Sequence, residues 1–240
     1  MKTRLDRLLV ERGLAESREK AQALIMAGEV LAKGQKAAKP GQMVDAEIEL
    51  EVRSRPPFVS RGGFKLAAAL ERFSINVAGR VCLDVGSSTG GFTDVLLQAG
   101  AAKVHAVDVG TNQLVWKLRN DPRVVVHEGV NARELGFETI GERAGFLCCD
   151  VSFISVTLIL PAATRLLLPE AEAVILVKPQ FEVGKGQVGK GGIVREPELH
   201  RAACERVESA ARELGFRTEL MDSPILGAEG NKEFLLYAHH

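Results

Sequence analysis

Two lysines and two carboxylates lie next to apolar segments of the sequence, where they could act together on a proton. Asp150 directly follows the apolar run FLCC, and Lys178 follows the run AVILV. Glu233 precedes the final apolar run, and Lys65 lies ahead of all of these segments. Ionisable groups at the ends of apolar strands are partly buried, and a lysine can act as a base where its surroundings favour the neutral amine. A single lysine of this kind is usually a structural charge, so the hypothesis of a reactive site depends on all four side chains meeting.

A glycine-rich turn is the second feature that could bind a reactant. In LDVGSSTGGF, residues 83–92, the pattern predicts a strand, a turn and the start of a helix. Gly86 and the glycines at 90–91 let a ligand approach the backbone, although the spacing matches neither GxGxxG nor a phosphate-binding loop. Asp108 ends the next predicted strand, 22 residues after Gly86, where a carboxylate can accept hydrogen bonds from ribose hydroxyls. Without a cradle for phosphates, S-adenosylmethionine fits better than NAD, and glycines that serve only packing are the alternative.

The segments that must position these residues alternate between short apolar strands and helices. The predicted strands span residues 80–85, 103–108, 123–127, 145–149, 173–178, 216–221 and 233–238. The predicted helices span residues 66–73, 91–99, 153–168 and 197–214. This alternation predicts a Rossmann-like, mostly parallel α/β sheet whose strand ends share one edge. The last two strands have no helix between them, so we predict an antiparallel hairpin that brings Glu233 to the same edge.

The first 55 residues predict a separate, small α+β module. Apolar spacing predicts one helix that ends at Gly13 and a second helix that runs from Ser17 to Gly28. Short strands are predicted at 30–32 and 44–52. Two helices and a small sheet are enough to form a compact module of about 50 residues, at the lower end of the usual range of domain sizes.

Charge is unevenly distributed within this module. The first 40 residues hold nine lysines and arginines against five acids, whereas residues 41–52 hold four acids and no base. The basic half can form a face that binds phosphates. A mixed, solvated surface is the alternative.

Two segments rich in glycine or proline are predicted to be connections. Residues 53–65 hold four bases, no acid, two adjacent prolines and two adjacent glycines, which indicates a linker. Residues 184–192 hold five glycines and two lysines, either as a disordered loop or as a mobile lid that binds phosphates. The predicted organisation is a first domain at 1–55, a linker at 56–65 and a second domain at 66–240.

Whole-chain composition excludes several classes of protein. Lysine plus arginine and aspartate plus glutamate both number 31, so binding of nucleic acid cannot be argued from net charge. The longest stretch without a charge, residues 151–164, has 14 residues, whereas a membrane span needs roughly 20. The N-terminus has no apolar signal core, and the four cysteines lack CxxC spacing. We therefore expect reduced thiols, no metal site and a cytoplasmic protein.

The motifs together resemble a known family. The N-terminal pattern is similar to the RNA-binding domain first seen in ribosomal protein S-four, with matches at Arg4-Leu5-Asp6, Gly13, Ser17-Arg18, Gly28 with Val30, Gly34 and Lys39-Pro40. It departs from that pattern at Ala32-Lys33, where Val-Asn is usual. SRGGFKL, DVGSSTGGFTD, DVSFIS, LVKPQFE and GNKEFLL resemble the motifs of FtsJ-like ribose 2′-O-methyltransferases. The resemblance covers nearly the whole chain, which is identified as a member of the TlyA family.

The resemblance implies roles for individual residues, with S-adenosylmethionine as cofactor and no metal. The residues implied to be catalytic are Lys65, Asp150, Lys178 and Glu233. The residues predicted to bind the cofactor are Asp84, Gly86, Ser87, Ser88, Thr89, Gly91, Phe92, Asp108 and Asn131, the last at a position that often faces adenine and is commonly Asp. The residues predicted to bind RNA are Arg4, Arg7, Arg18, Lys20, Lys33, Lys36, Arg61, Lys185 and Lys190.

The function implied by the resemblance is methylation of a ribose 2′-OH, of cytidine in 16S ribosomal RNA, 23S ribosomal RNA or both. A ribose hydroxyl is a poor nucleophile at neutral pH and needs a base or a nearby cation, which the lysines can supply. Enzymes that methylate base amino groups usually carry N/D-P-P-Y/F where this chain has DVSF, so oxygen is favoured over nitrogen.

Three other functions compete with this expectation. A non-catalytic ribosome assembly factor is disfavoured by the complete set of lysines and carboxylates. A pseudouridine synthase can carry the same N-terminal module, but would lack the glycine-rich turn. A membrane-lytic protein is disfavoured because no span or signal is present. The sequence leaves open the target nucleotide, the oligomeric state and whether free RNA or a ribosomal subunit is recognised.

Overall fold

The chain forms two units, Met1–Pro57 and Phe58–His240. The structure is a computed structural model that describes residues 2–37, 39–52 and 57–240, apart from the side chains of Lys185 and Ala228. Residues 53–55 of the predicted first domain and Pro56 of the predicted linker lie outside the described residues.

The N-terminal unit packs two helices against short antiparallel strands. Its helices are α1 (Leu5–Glu11) and α2 (Arg18–Met26), and its strands are β1 (Lys2–Arg4), β2 (Val30–Ala32), β3 (Gln35–Lys36), β4 (Met43–Asp45) and β5 (Leu50–Val52). Strand β1 pairs with β4, and β2 lies between β3 and β5. Ser17 begins α2 as its N-cap, because its hydroxyl accepts a hydrogen bond from the backbone N–H of Lys20 at 3.2 Å. Leucines of α1 and Ile25 of α2 are buried in the small core.

The prediction of one strand across residues 44–52 is wrong. Strand β4 pairs with β1, whereas β5 pairs with β2, so the segment has to turn between two sheets. Asp45 makes that turn: its side chain accepts from the N–H of Glu47 at 3.1 Å, and its carbonyl accepts from the N–H of Ile48 at 3.0 Å. Polar and apolar residues continue to alternate through this turn, so the sequence pattern alone gave no sign of it.

The C-terminal unit is built on one seven-stranded sheet. Its strands are β6 (Val81–Val85), β7 (Lys103–Asp108), β8 (Val124–Glu128), β9 (Ala144–Cys149), β10 (Leu167–Val177), β11 (Arg217–Asp222) and β12 (Phe234–His239). Their order is β11-β12-β10-β9-β6-β7-β8. The five strands from β6 to β10 pair in parallel, and β12 pairs antiparallel with both β10 and β11. The predicted mostly parallel sheet with an antiparallel hairpin at one side is confirmed.

Helices cover both faces of this sheet. They are α3 (Gly62–Arg72), α4 (Gly91–Gln98), α5 (Trp116–Arg119), α6 (Phe137–Ile140), α7 (Leu160–Thr164), α8 (Pro179–Glu182) and α9 (Pro197–Glu213). Successive residues of β9 alternate between two cores, with Leu147 in one and Phe146 in the other. All four cysteines are free and buried, as expected for reduced thiols. No helix in the described part of the chain is long and apolar enough to cross a membrane.

The long helix predicted at 153–168 is wrong. The segment forms a loop, a 3₁₀ helix at Val156–Leu158 and the short helix α7, and Leu167 already belongs to β10. Pro161 lies in the first turn of α7, the one place in a helix where its missing N–H does no harm. A continuous helix through this proline would lose a hydrogen bond and create a clash, so the chain breaks there.

Candidate active site

Two of the predicted residues meet where β9 and β10 end. Asp150 follows β9 and Lys178 follows β10, and parallel pairing of the two strands brings their carboxyl ends together. The Nζ atom of Lys178 lies 2.5 Å from Oδ1 of Asp150, and it donates a hydrogen bond to Oγ of Ser152 at 2.8 Å. The two side chains are only 11% and 20% exposed, so the pair is screened little by solvent.

The other two predicted residues form a second, more deeply buried pair. Lys65 lies in the first turn of α3, which begins at Gly62, within the predicted linker. Glu233 precedes β12, whose antiparallel direction brings its start to the edge where β10 ends. The Nζ atom of Lys65 lies 2.6 Å from Oε2 of Glu233, and the side chains are 9% and 2% exposed. Gly227 packs directly on this carboxylate, because a Cβ there would lie 2.0 Å from Oε1 of Glu233.

Two adjoining cavities open at this edge. The larger has a volume of about 640 Å³ and the smaller about 170 Å³. Gly86, Ser88 and Asp150 line both cavities, so the two cavities are adjacent. Asp150, the partner of Lys178, lies where they meet. Lys65 lines the smaller cavity, together with the predicted cofactor residues Ser87, Thr89, Gly91 and Phe92. The larger cavity is lined by Asp108 and Asn131, two further residues predicted to bind the cofactor.

The glycine-rich turn is shaped by close approach of two backbones. Gly86 has a φ of +84°, and a Cβ at this position would lie 2.2 Å from the carbonyl oxygen of Asp150. Gly90 has a φ of +97° and precedes α4, and a Cβ there would lie 2.4 Å from a methyl carbon of Leu118. Any other residue at either position would have to shift these neighbours, so both glycines are required for the shape of the turn.

Asp108 is held rigidly at the rim of the larger cavity. Its carboxylate accepts hydrogen bonds from the backbone N–H groups of Ser88 and Gly110, each at 2.7 Å. Asn131 begins a 3₁₀ helix on the same wall, where its amide donates to Glu134 at 2.8 Å. The carboxylate of Asp108 retains lone pairs for a ligand, because each oxygen accepts one bond here and can accept more.

Asp84 does not line either cavity. It is fully buried in β6, and one carboxylate oxygen accepts a hydrogen bond from the hydroxyl of Thr93 in α4 at 2.6 Å. Burial is the main reason that the pKa of Asp84 is raised to about 7. Its position indicates that it ties the strand to the helix beneath the glycine-rich turn.

Two exposed apolar residues line the larger cavity and were missed by sequence reasoning. Val109 follows Asp108 and is 74% exposed, and Phe153 follows Ser152 and is 93% exposed. Phe153 has a φ of +66°, which is uncommon for any residue other than glycine, and its ring centroid lies 5.4 Å from that of Phe181. The available signal was positional, since each residue closely follows the carboxyl end of a parallel strand.

Two arginines of the N-terminal unit share a buried acid. The carboxylate of Asp6 accepts two hydrogen bonds from Arg4 at 3.0 and 2.9 Å, one from Arg18 at 3.0 Å and one from Gln22 at 2.9 Å. The hydrogen bonds from the Arg4 guanidinium are the largest cause of the lowered pKa of Asp6, which lies well below its usual range. Two arginines 14 positions apart in the sequence are thereby brought to one place.

Within the described ranges, the other residues predicted to bind RNA do not cluster around a common side chain. Lys20 pairs with Glu16 on the surface of α2. The side chain of Arg61 donates to the carbonyl oxygen of Leu226 at 3.1 Å. Four more predicted residues, all of them described, are exposed and do not contact Asp6, the carboxylate that Arg4 and Arg18 share: Arg7, Lys33, Lys36 and Lys190. The side chain of Lys185 lies outside the described residues.

Comparison with known proteins assigns each unit to a family. A model described as FtsJ-like methyltransferase matches residues 58–240, and a model of the S4 domain matches residues 3–49. The chain is 51% identical over 239 residues to a Mycobacterium tuberculosis protein named 16S/23S rRNA (cytidine-2′-O)-methyltransferase TlyA, covering 98% of this chain and 89% of that protein. It is 43% identical over 236 residues to Hemolysin A of Brachyspira hyodysenteriae, covering 98% of each chain. A solved structure named as a hemolysin from Streptococcus thermophilus matches with a TM-score of 0.75 and 46% identity, covering 99% of this chain and 88% of that one.

Proposed function

The chain belongs to the TlyA family of FtsJ-like methyltransferases with an S4 domain, and we propose that it methylates a ribose 2′-OH of ribosomal RNA. Cytidine is the proposed nucleoside, after the name of the Mycobacterium tuberculosis relative. One observation carries the proposal: two lysine–carboxylate pairs lie at the edge of the sheet, beside two adjoining cavities. Modification of ribosomal RNA would place the protein in the cytoplasm.

The larger cavity fits the adenosine part of S-adenosylmethionine. The fixed carboxylate of Asp108 can accept hydrogen bonds from the ribose, and the exposed Val109 gives adenine an apolar surface to cover. Among the described residues that line this cavity, Arg133 alone is basic, which favours a ligand without phosphates. The cofactor, when bound, supplies a methyl group activated by its sulfonium.

The smaller cavity is the proposed place of the acceptor hydroxyl. Lys65 lines it directly, and Asp150 connects it to Lys178. Two positive charges beside the hydroxyl oxygen would lower the pKa of that hydroxyl and stabilise the oxygen as its proton passes to solvent water at the open edge of the sheet. Glu233 and Asp150 hold the lysines in place, so that the oxygen is oriented before it reacts.

RNA would be held by both units. Arg4 and Arg18 are proposed to bind phosphates, since both guanidiniums are anchored and partly exposed. Phe153 is proposed to stack on the target base. Its ring is exposed at the rim of the larger cavity, and Asp150 lines both that cavity and the smaller one. Arg61 and Lys190 are proposed to contact phosphates near the site.

The experiment that tests the proposal is methyl transfer from tritiated S-adenosylmethionine to purified small and large ribosomal subunits. Wild type is compared with Lys178→Ala, and the RNA is digested to nucleosides to locate the label. We expect label in 2′-O-methylcytidine, lost in the variant. Label on a base would contradict the assignment to oxygen. No label on either subunit, despite binding of the cofactor, would favour a non-catalytic assembly factor.

A further inference from the structure

Two segments at the edge where β9 and β10 end hold Asp150, Lys178 and the exposed Phe153, and side-chain contacts join the two segments at several points. One segment follows β9 and holds Asp150, Ser152 and Phe153, and the other is Lys178 with helix α8. The Nζ atom of Lys178 contacts Asp150 and Ser152, and the ring of Phe181 lies against that of Phe153. Their relative position therefore decides both the geometry of the lysine and the place of the exposed ring.

Glu182, the last residue of α8, joins the two segments a third time. Its carboxylate accepts a hydrogen bond from the hydroxyl of Ser155 at 2.5 Å and from the backbone N–H of Val156 at 2.8 Å. The residue is only 3% exposed, although its direct partners are neutral groups. Burial raises the pKa of Glu182, while the bonds from Ser155 and Val156 act in the opposite direction. A buried carboxylate is costly unless hydrogen bonds compensate it, so such a group needs a structural or functional reason.

The far side of Glu182 is anchored as well. The guanidinium of Arg206 in α9 donates to the carbonyl oxygen of Glu182 at 2.8 Å. Helix α8 is thus tied to the long helix α9 at the same residue that holds the loop. We refer to Glu182 with its bonds to Ser155 and Val156 as the Glu182 clamp.

Phe153 shows why a clamp is needed. Its φ of +66° belongs to the left-handed region, which an aromatic residue adopts only where the surroundings enforce it. Its ring is 93% exposed, so packing alone does not enforce the conformation. The loop is instead held at both ends, by Lys178 on Ser152 and by the Glu182 clamp at residues 155–156.

We propose that Glu182 is a positioning residue for methyl transfer, which acts by holding Phe153 and the Asp150–Lys178 pair in register. The inference rests on the proposed function and deepens it. Glu182 lines neither cavity, so its proposed role is to act through the residues that do. Displacement of reacting groups by about 1 Å can cost about a hundredfold in rate. Loss of the clamp should therefore reduce turnover even though no group that touches the substrate is removed.

The test compares Glu182→Ala with Glu182→Gln. The amide of glutamine can accept from the N–H of Val156 and donate to Oγ of Ser155, whose proton can then turn toward Thr157, 2.7 Å away. Glu182→Ala should lower kcat at saturating cofactor and RNA by about tenfold or more, whereas Glu182→Gln should remain within about threefold of wild type. Glu142→Ala is the matched control, since that carboxylate also accepts two bonds, from Lys103 and His105, but lies away from the cavities.

Hydrogen exchange at the Val156 amide gives a readout that does not depend on methyl transfer. We expect faster exchange in Glu182→Ala, and near wild-type exchange in the glutamine and Glu142 variants. A folded Glu182→Ala with wild-type kcat would overturn the proposal, whatever the exchange rate. Equal loss of kcat in the Glu142 control would also overturn it, because general destabilisation would then explain both. If wild type labels no RNA, the proposed function fails, and unchanged exchange at Val156 would show separately that the clamp does not exist.

Discussion

The two units treat their positive charges in opposite ways. In the N-terminal unit a fully buried acid, Asp6, is shared by Arg4 and Arg18, whose side chains are 41% and 51% exposed. In the C-terminal unit Lys65 and Lys178 are 9% and 11% exposed, and each has a carboxylate of its own. The first arrangement leaves an excess of positive charge in solvent, and the second encloses balanced pairs.

The difference matches what each set of cations is proposed to do. Exposed guanidiniums can release counterions from an RNA backbone and still be held in one geometry by the acid beneath them. Enclosed lysines act in surroundings of lower dielectric, where a charge affects a neighbouring hydroxyl more strongly than in water. One anchored but exposed pair suits phosphate binding, and two enclosed pairs suit chemistry on a hydroxyl.

The strongest test of this difference is at the enclosed lysines, where we expect the largest loss of methyl transfer. Lys65→Met should lower methyl transfer by about 10²–10⁴-fold, because it removes a charge beside the acceptor and leaves Glu233 buried without its partner. The measurement is single-turnover transfer at a temperature well below the unfolding midpoint. Lys103→Met is the matched control: Lys103 pairs with Glu142 at the same 2.6 Å, but it begins β7 at the opposite edge of the sheet. Comparable losses in both variants would show that burying the pair has no special role.

A smaller effect is expected at the exposed arginines. Arg4→Gln and Arg18→Gln should together weaken RNA binding by about tenfold, and each should reduce the slope of log K against log salt by about one. Transfer at saturating RNA should be unchanged. Binding titrations over a range of salt concentrations measure both quantities, with Arg201→Gln, an exposed arginine paired with Glu198, as control. An unchanged salt slope would remove these two arginines from the RNA contacts.

The buried acids of the two units should respond to pH in opposite directions, and Asp84 gives the larger response. Its folded-state pKa of about 7 lies above the ordinary value of 3.8, so the fold favours the protonated form and loses stability as pH rises from about 4 to 7. Asp84→Asn should remove this loss, so its gain in stability relative to wild type should grow by about 2–3 kcal/mol between pH 5 and 8. Urea denaturation at several pH values measures it, and Asp121→Asn, whose pKa is lowered, should gain nothing over this range. A pH-independent difference would refute the elevated pKa.

Asp6 should show the reverse and weaker behaviour. Its pKa is lowered, so its contribution to stability is fully present above the ordinary value of 3.8 and is lost as pH falls through the folded-state pKa. Asp6→Asn should therefore lower the free energy of unfolding by about 1–2 kcal/mol at neutral pH, and the difference from wild type should shrink below about pH 4. A difference that grows as pH falls would contradict the proposed ion pairs.

Sequence patterns predicted most of the strands because each is a short apolar run bounded by turns. They failed where a local feature overrode the pattern, at the turn made by Asp45 and at Pro161 within an apparent helix. The roles of Asp6 and Glu182 could not be predicted, because a carboxylate in a polar motif gives no sign that it will be buried. Phe153 was missed since its left-handed backbone follows from contacts on either side of the loop rather than from its own residue type.

The alternation of strands and helices after residue 66, the division into two units and the placement of Asp108, Asp150 and Lys178 at strand ends could be predicted from the sequence alone. These features are local, since they depend on apolar runs, glycines and the residue that follows each strand. Only the tertiary structure decided that Lys65 pairs with Glu233, and Lys178 with Asp150. Pairing of this kind depends on strand order, register and helix placement, which bring residues 168 positions apart in the sequence within one ion-pair distance.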